Sequence, residues 1–274
     1  GLVADDSRIV VAAGPGDQGA PTVAFGGDGY LAAWETCVDC PTQGADLAAR
    51  PLGLDGRPSG PATDVESSPF DARAPALAYN PDTGEYLVVW SARYAGLSDQ
   101  YAVRARRLSR AGEPLGDEIA VAEVSGVWPA AVVSSRGAWH GYDVAWAAPS
   151  PLPNGVTTVI HTRHLDASGV PAAEVWRLSD AGYEALGPRA MRASSGAGAL
   201  VAWFAYATGE GSDRPRLLGM RLGLSGRPLG DARALAPEAV CAAALADHAA
   251  LPELLLATVG CEGEGAEPEG AVRL

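Results

Sequence analysis

Lysine is absent from the 274 residues, and all 20 basic side chains are arginine. That excludes a lysine Schiff base, a P-loop lysine and a Ser-Lys dyad. Beside abundant Ala, Gly, Pro and Arg, the same absence also reads as the mark of a GC-rich genome. No apolar run approaches the ~18 residues that span a bilayer, so membrane insertion is not expected. Bases are outnumbered by 33 acids, and a net charge of −13 repels nucleic-acid phosphates and anionic lipid surfaces. Nucleic acid is therefore not an expected partner. The start, Gly1-Leu2-Val3-Ala4-Asp5-Asp6, has neither a basic n-region nor an apolar h-region, so any export signal has been removed or lies outside this sequence.

Chemical motifs are equally scarce. There is no G-x-S-x-G elbow, no H-E-x-x-H and no glycine-rich phosphate loop after a strand. Sialidase Asp-boxes (S-x-D-x-G-x-x-W) and calcium loops of the D-x-[DN]-x-[DN]-G type are missing too, so neither a cofactor nor a resident metal is expected. His161 and His164 are three apart on a strand and point to opposite faces, which defeats joint metal binding. Only four cysteines occur. Cys37 and Cys40 form a C-x-x-C in a loop, and Cys241 and Cys261 flank a hairpin. The even count fits two disulfides in an oxidising compartment, with a redox dithiol or a four-thiolate metal site as competing readings.

What the chain does have is a repeat. Tyr30-Leu31-Ala32-Ala33-Trp34, Tyr86-Leu87-Val88-Val89-Trp90, Tyr142-Asp143-Val144-Ala145-Trp146 and Ala199-Leu200-Val201-Ala202-Trp203 end in tryptophans 56, 56 and 57 residues apart. Leu52, Leu108, Leu165 and Leu222 close a later Arg-containing strand in each unit at spacings of 56, 57 and 57. A fixed period of this length marks repeated supersecondary units. Each unit reads as four short strands separated by turns rich in Gly, Pro, Asn and Asp. A fifth unit lacks its tryptophan and its fourth strand, and Ser7 to Ala12 matches the missing fourth-strand pattern. The expected fold is thus all-β: a five-bladed β-propeller of four-stranded antiparallel blades, closed by the N-terminal strand. A single domain spans 1–274, with blades at approximately 21–66, 75–122, 129–178, 188–236 and 238–274 plus 7–12. The four tryptophans are expected as wedges between blades.

The run Tyr86 to Trp90, then Ala102 to Leu108, then Gly112 to Gly116, resembles repeats in exported and surface-anchored propeller proteins of myxobacteria-like bacteria. The resemblance covers nearly the whole chain. It implies a secreted, periplasmic or cell-surface setting and leaves the function open.

Alternation of the strands assigns the loops between second and third strands to one face: Glu35 to Asp46, Ser91 to Gln100, Ala147 to Val156, Phe204 to Arg216 and Gly260 to Glu269. Loops on a rigid scaffold are where binding and catalysis concentrate. Four residues before the proline that opens each first strand stand Asp17, Asp71, Ser125 and Glu184. Asp17, Asp71 and Glu184 would gather at the axial mouth, where they could hold a cation or serve a glycosidase as acid and base. Trp128, Tyr183, Phe70 and Tyr94 would offer planar surfaces for stacking there, with Arg73, Glu35 and Arg93 as polar contacts. The expected function is non-catalytic binding of a glycan or protein through this face. The alternatives are a glycosidase-like enzyme using the axial acids and a structural spacer of a larger surface protein.

Overall fold

The computed structural model describes residues 9–39, 44–67, 71–93, 100–125, 131–135, 141–152, 155–180, 183–192, 199–207, 215–223, 225–236, 240–247, 254–260 and 272–273. Among them there is no helix; five antiparallel sheets follow one another along the chain. The first sheet comprises β1 (Asp17–Phe25), β2 (Tyr30–Cys37), β3 (Asp46–Leu52) and β4 (Thr63–Glu66). The second holds β5 (Asp71–Asn80), β6 (Glu85–Arg93), β7 (Gln100–Leu108) and β8 (Ile119–Ser125), and the third β9 (Ala131–Ser135), β10 (Tyr142–Leu152), β11 (Gly155–Leu165) and β12 (Pro171–Arg177). The fourth contains β13 (Tyr183–Arg192), β14 (Ala199–Ala207), β15 (Arg216–Leu222) and β16 (Arg233–Ala234). Only three strands make the fifth: β17 (Val240–Asp247), β18 (Leu254–Gly260) and β19 (Val272–Arg273).

Within each sheet the strands pair in chain order, so the first strand is always an edge. These first strands pack in succession, β1 on β5, β5 on β9, β9 on β13 and β13 on β17, a propeller-like arrangement. The core lies between sheets. Trp90 packs with Leu31, Ala33 and Leu47 of the first sheet, Trp146 with Leu87 and Val89 of the second, and Trp203 with Ala145 and Ile160 of the third. All three are buried, so each tryptophan wedges its own sheet against the preceding one. Trp34 is buried too, packing with Ala32, Ala48 and Leu52 against Val11 and Ala12.

The turn after each third strand is built alike. Gly56, Gly112, Gly169 and Gly226 all have positive φ, between 74° and 87°, where only glycine sits without strain. Each donates its N–H to the residue three back, as in Gly112 to the Ser109 carbonyl at 2.9 Å.

The expected bounds of strands and loops need correction. β1, β5 and β13 begin well before their prolines, so Asp17, Asp71 and Glu184 are strand residues, not connections. A bulge makes this possible: register shifts between Gly19 and Thr22 and between Arg73 and Ala76 place Pro21 and Pro75 where no ladder donor is needed. By the same pairing Glu35 and Arg93 lie on β2 and β6, not in loops. Ala147 to Val156 is the tip of the β10–β11 hairpin, in register to Leu152 opposite Gly155. Among the described residues Ile9 to Ala12 are assigned no strand, and no closed sheet is present.

Candidate functional site

The bulges carry the first strands up to one rim of the sheets, and the rim between the first and second sheets is the most elaborated. Asp71 lies opposite Arg93 in the β5–β6 ladder, three residues past Trp90. Asp17 opposite Cys37 and Glu184 opposite Tyr206 hold the equivalent places relative to Trp34 and Trp203. Equivalent register has not given equivalent surroundings. Asp17 is exposed, while Asp71 is buried.

Three donors converge on Asp71. The Arg73 Nε donates to Oδ1 at 2.8 Å, the Ala45 N–H donates to Oδ1 at 2.9 Å, and Arg93 Nη2 donates to Oδ2 at 3.2 Å. Arg73 Nη1 also reaches Glu35 Oε2 at 3.2 Å, and the other Glu35 oxygen accepts the Ala74 N–H at 2.7 Å. Glu35, Arg73, Asp71 and Arg93 therefore form one alternating chain of charge across the seam. Burial pulls the Arg73 pKa down, but Asp71 and Glu35 outweigh it and hold the guanidinium above its ordinary value. Ala74, held by Glu35, has φ 52° before Pro75, and Ala20 before Pro21 has φ 42°. Non-glycine residues at such angles are strained and persist where neighbours over-determine them. Gly44 approaches so closely that an added Cβ would stand 3.0 Å from the Asp71 Cα.

Of the sequence-predicted residues, Glu35, Asp71, Arg73 and Arg93 are thus brought together. Asp17 makes no part of this network. For Tyr183 and Glu184 the backbone is described, on β13, and the side chains are not. Phe70, Tyr94 and Trp128 lie outside the described residues, as does Cys40. Cys37 is disulfide-bonded. No cluster of three or more metal-ligating side chains occurs among the described residues.

The same seam holds a second set of charges that the sequence reading missed. Arg104 binds Glu118 at 3.1 Å and Glu123 at 2.9 Å. Burial, and next the Glu66 carboxylate, push Glu118 up to about 6 against the opposing pull of Arg104 and Arg106. Because this folded-state value lies above the ordinary 4.5, the stabilisation is fully present below about pH 4.5 and is lost as pH rises through about 6. Wild type is expected to lose about 1 to 2 kcal/mol relative to Glu118→Gln over that window, measured as the difference between their urea-unfolding free energies. A constant difference across pH 4 to 8 would contradict the assignment.

A third feature sits one seam on. His161 lies opposite Trp146 in the β10–β11 ladder and stacks on it, ring centroids 5.7 Å apart at 22°. Beside them a cavity of about 550 Å³ opens between β8 and the third sheet.

No protein-family model and no curated protein matches this sequence. Among solved structures the chain is similar to an α-L-arabinofuranosidase from Lactobacillus brevis, at 11% identity and TM-score 0.43 over 77% of this chain and 75% of that one. It is also similar to the Trypanosoma rangeli sialidase in complex with sialic acid, at 9% identity and TM-score 0.46, covering 90% of this chain and 44% of the sialidase. A third is the polysaccharide lyase Uly1, at 10% identity and TM-score 0.46, covering 89% of this chain and 54% of the lyase. At these identities no residue role carries across. No helix among the described residues is long and apolar enough to cross a membrane.

Proposed function

We propose that the chain is a non-catalytic glycan-binding propeller that works outside the cytoplasm, in a secreted, periplasmic or cell-surface setting, and engages its ligand through the rim around Arg93. The observation that carries this reading is the binding of Asp71 by two guanidiniums and a backbone N–H. A carboxylate whose lone pairs are filled by fixed donors is poorly placed to move a proton or attack a sugar carbon. Fixed guanidiniums and carboxylates beside it suit the directional hydrogen bonding that orients a polar ligand. Arg93 is the member a ligand reaches most easily, with its side chain 46% exposed.

The proposal includes closure of the five sheets into a ring, with residues 7–12 as the outer strand of the fifth. Support comes from a repeated link between sheets. Arg106 Nη1 donates to the Val65 carbonyl on the preceding sheet at 2.6 Å, and Arg163 Nη1 does the same to Val121 at 2.6 Å. Arg50, the equivalent residue of the first sheet, donates to Val11 at 2.9 Å. Val11 thus stands to the first sheet as the outer strands β4 and β8 stand to the second and third. Disulfides Cys37–Cys40 and Cys241–Cys261 complete the proposal and fit an oxidising compartment.

A glycan array probed with wild type and Arg93→Ala tests the rim. Wild type is expected to bind a discrete set of glycans and Arg93→Ala to bind them at least tenfold more weakly with an unchanged melting temperature. No glycan bound by wild type would overturn the reading and point to a protein ligand.

A further inference from the structure

In each repeat one residue lies directly opposite the tryptophan in the second–third strand ladder, and it differs every time: Ala48 opposite Trp34, Arg104 opposite Trp90, His161 opposite Trp146 and Leu218 opposite Trp203. Directly opposed residues share a face of the sheet, so this position sets how the gap to the preceding sheet is filled. Arg104 is buried at its seam, where it is paired with Glu118 and Glu123. His161 is shorter and lies flat on Trp146, and its seam keeps the cavity of about 550 Å³, within the usual range of small-ligand sites.

We propose that this cavity is a subsite for a single neutral sugar unit. The proposal rests on the glycan reading above and goes beyond it in naming a second, separate place of contact and the class of unit it takes.

The chemistry of the lining selects this ligand. Val175, 47% exposed, and Pro149 supply aliphatic surface, while Ser125 and the His161 imidazole supply groups that can hydrogen-bond hydroxyls. The charged heads around it are already hydrogen-bonded within the protein. Arg163 donates its Nε to the Ala172 carbonyl and its Nη1 to the Val121 carbonyl, both at 2.6 Å, and Glu123 is paired with Arg104. Burial, and then the charge of Arg177, hold His161 below the ordinary imidazole value, so it is neutral at pH 7. A cavity with apolar walls, hydroxyl-matching groups and charged heads whose hydrogen bonds are already taken up gives an ion few free contacts and a wholly apolar ligand an incomplete match. A pyranose or furanose ring, with one C–H face and a set of hydroxyls, matches both parts.

The test uses free glucose, galactose, mannose, arabinose and N-acetylglucosamine, followed by saturation-transfer NMR and tryptophan fluorescence at pH 7. At least one is expected to bind wild type and to bind His161→Arg at least tenfold more weakly, because arginine fills this seam as Arg104 fills its neighbour. Val175→Trp blocks the cavity from an already exposed position and should give the same loss if His161→Arg proves unstable. Binding of none of the five sugars, or equal binding by wild type and both variants, would overturn the proposal. The two readings separate. Array binding that survives in His161→Arg and Val175→Trp while no free sugar binds would leave the rim standing and remove the subsite. Free-sugar binding lost in these variants, together with array binding untouched by Arg93→Ala, would leave the subsite standing and remove the rim.

Discussion

Asp71→Ala is expected to lower the unfolding free energy in urea by about 2 to 4 kcal/mol, somewhat less than the roughly 3 to 5 kcal/mol for breaking a fully buried ion pair. The reduction from the full range follows from exposure: Arg73 keeps Glu35 as a partner at 3.2 Å, and Arg93 is nearly half exposed and recovers water. What remains is the loss of the acceptor for the Ala45 N–H and of the two charge-assisted bonds from Arg73 and Arg93. Asp71→Asn preserves shape and one acceptor oxygen and is expected to cost about 1 to 2 kcal/mol, again by the scale of charged hydrogen bonds. A change below about 0.5 kcal/mol for Asp71→Ala, the scale of ordinary surface substitutions, would mean that the network contributes nothing to the seam.

Deletion of residues 1–12 has the other large expected effect. It removes the acceptor of Arg50 Nη1 and uncovers Ala32, Trp34, Ala48 and Leu52, which Val11 and Ala12 overlie. A hydrogen bond to a charged group contributes about 1.5 to 3 kcal/mol, and partial burial of a valine about 1 to 2, so a loss of about 3 to 5 kcal/mol is expected. In the proposed ring the deletion also bares the edge of the fifth sheet, which should promote self-association, visible in light scattering. Arg50→Met should cost much less, because Met220 holds the same position in the fourth sheet and is buried with Leu178. An unchanged urea midpoint on deletion would place the N-terminal segment outside the ring.

The repeat was readable because the forces that fix it act at single positions. A tryptophan must wedge between sheets and a glycine must take positive φ in each tight turn, so both recur at the period of the fold. The errors arose where one residue type serves two purposes. Proline was read as the start of each first strand, whereas in β1 and β5 it sits in a bulge that lets pairing continue to Asp17 and Asp71. Pro149 and Pro151 fall within the expected loop Ala147 to Val156, yet on β10 they pair with Thr158 and Val156 of β11, beyond Trp146, where the described pairing with β9 ends and a missing N–H is tolerated.

The candidate site was legible as names but not as a network. Glu35, Asp71, Arg73 and Arg93 stood out as polar residues near one face, but their alternating pairing depends on a bulge geometry that no spacing announces. His161 was passed over as a residue without a partner. The signal lay in the register: it is the residue opposite the repeat's own tryptophan, and comparing that position across the four units sets a ring beside Ala48, Arg104 and Leu218.

The central claim is that the rim around Arg93 binds a glycan and leaves it whole. The direct measurement incubates an array-selected oligosaccharide with stoichiometric wild-type protein at pH 5 and pH 7, and records both the native mass spectrum of the complex and the products after a day. The account predicts a complex with the mass of the intact oligosaccharide, depleted in Arg93→Ala, and no shortened or unsaturated sugar. Products that require Asp71, absent with Asp71→Asn, would contradict it.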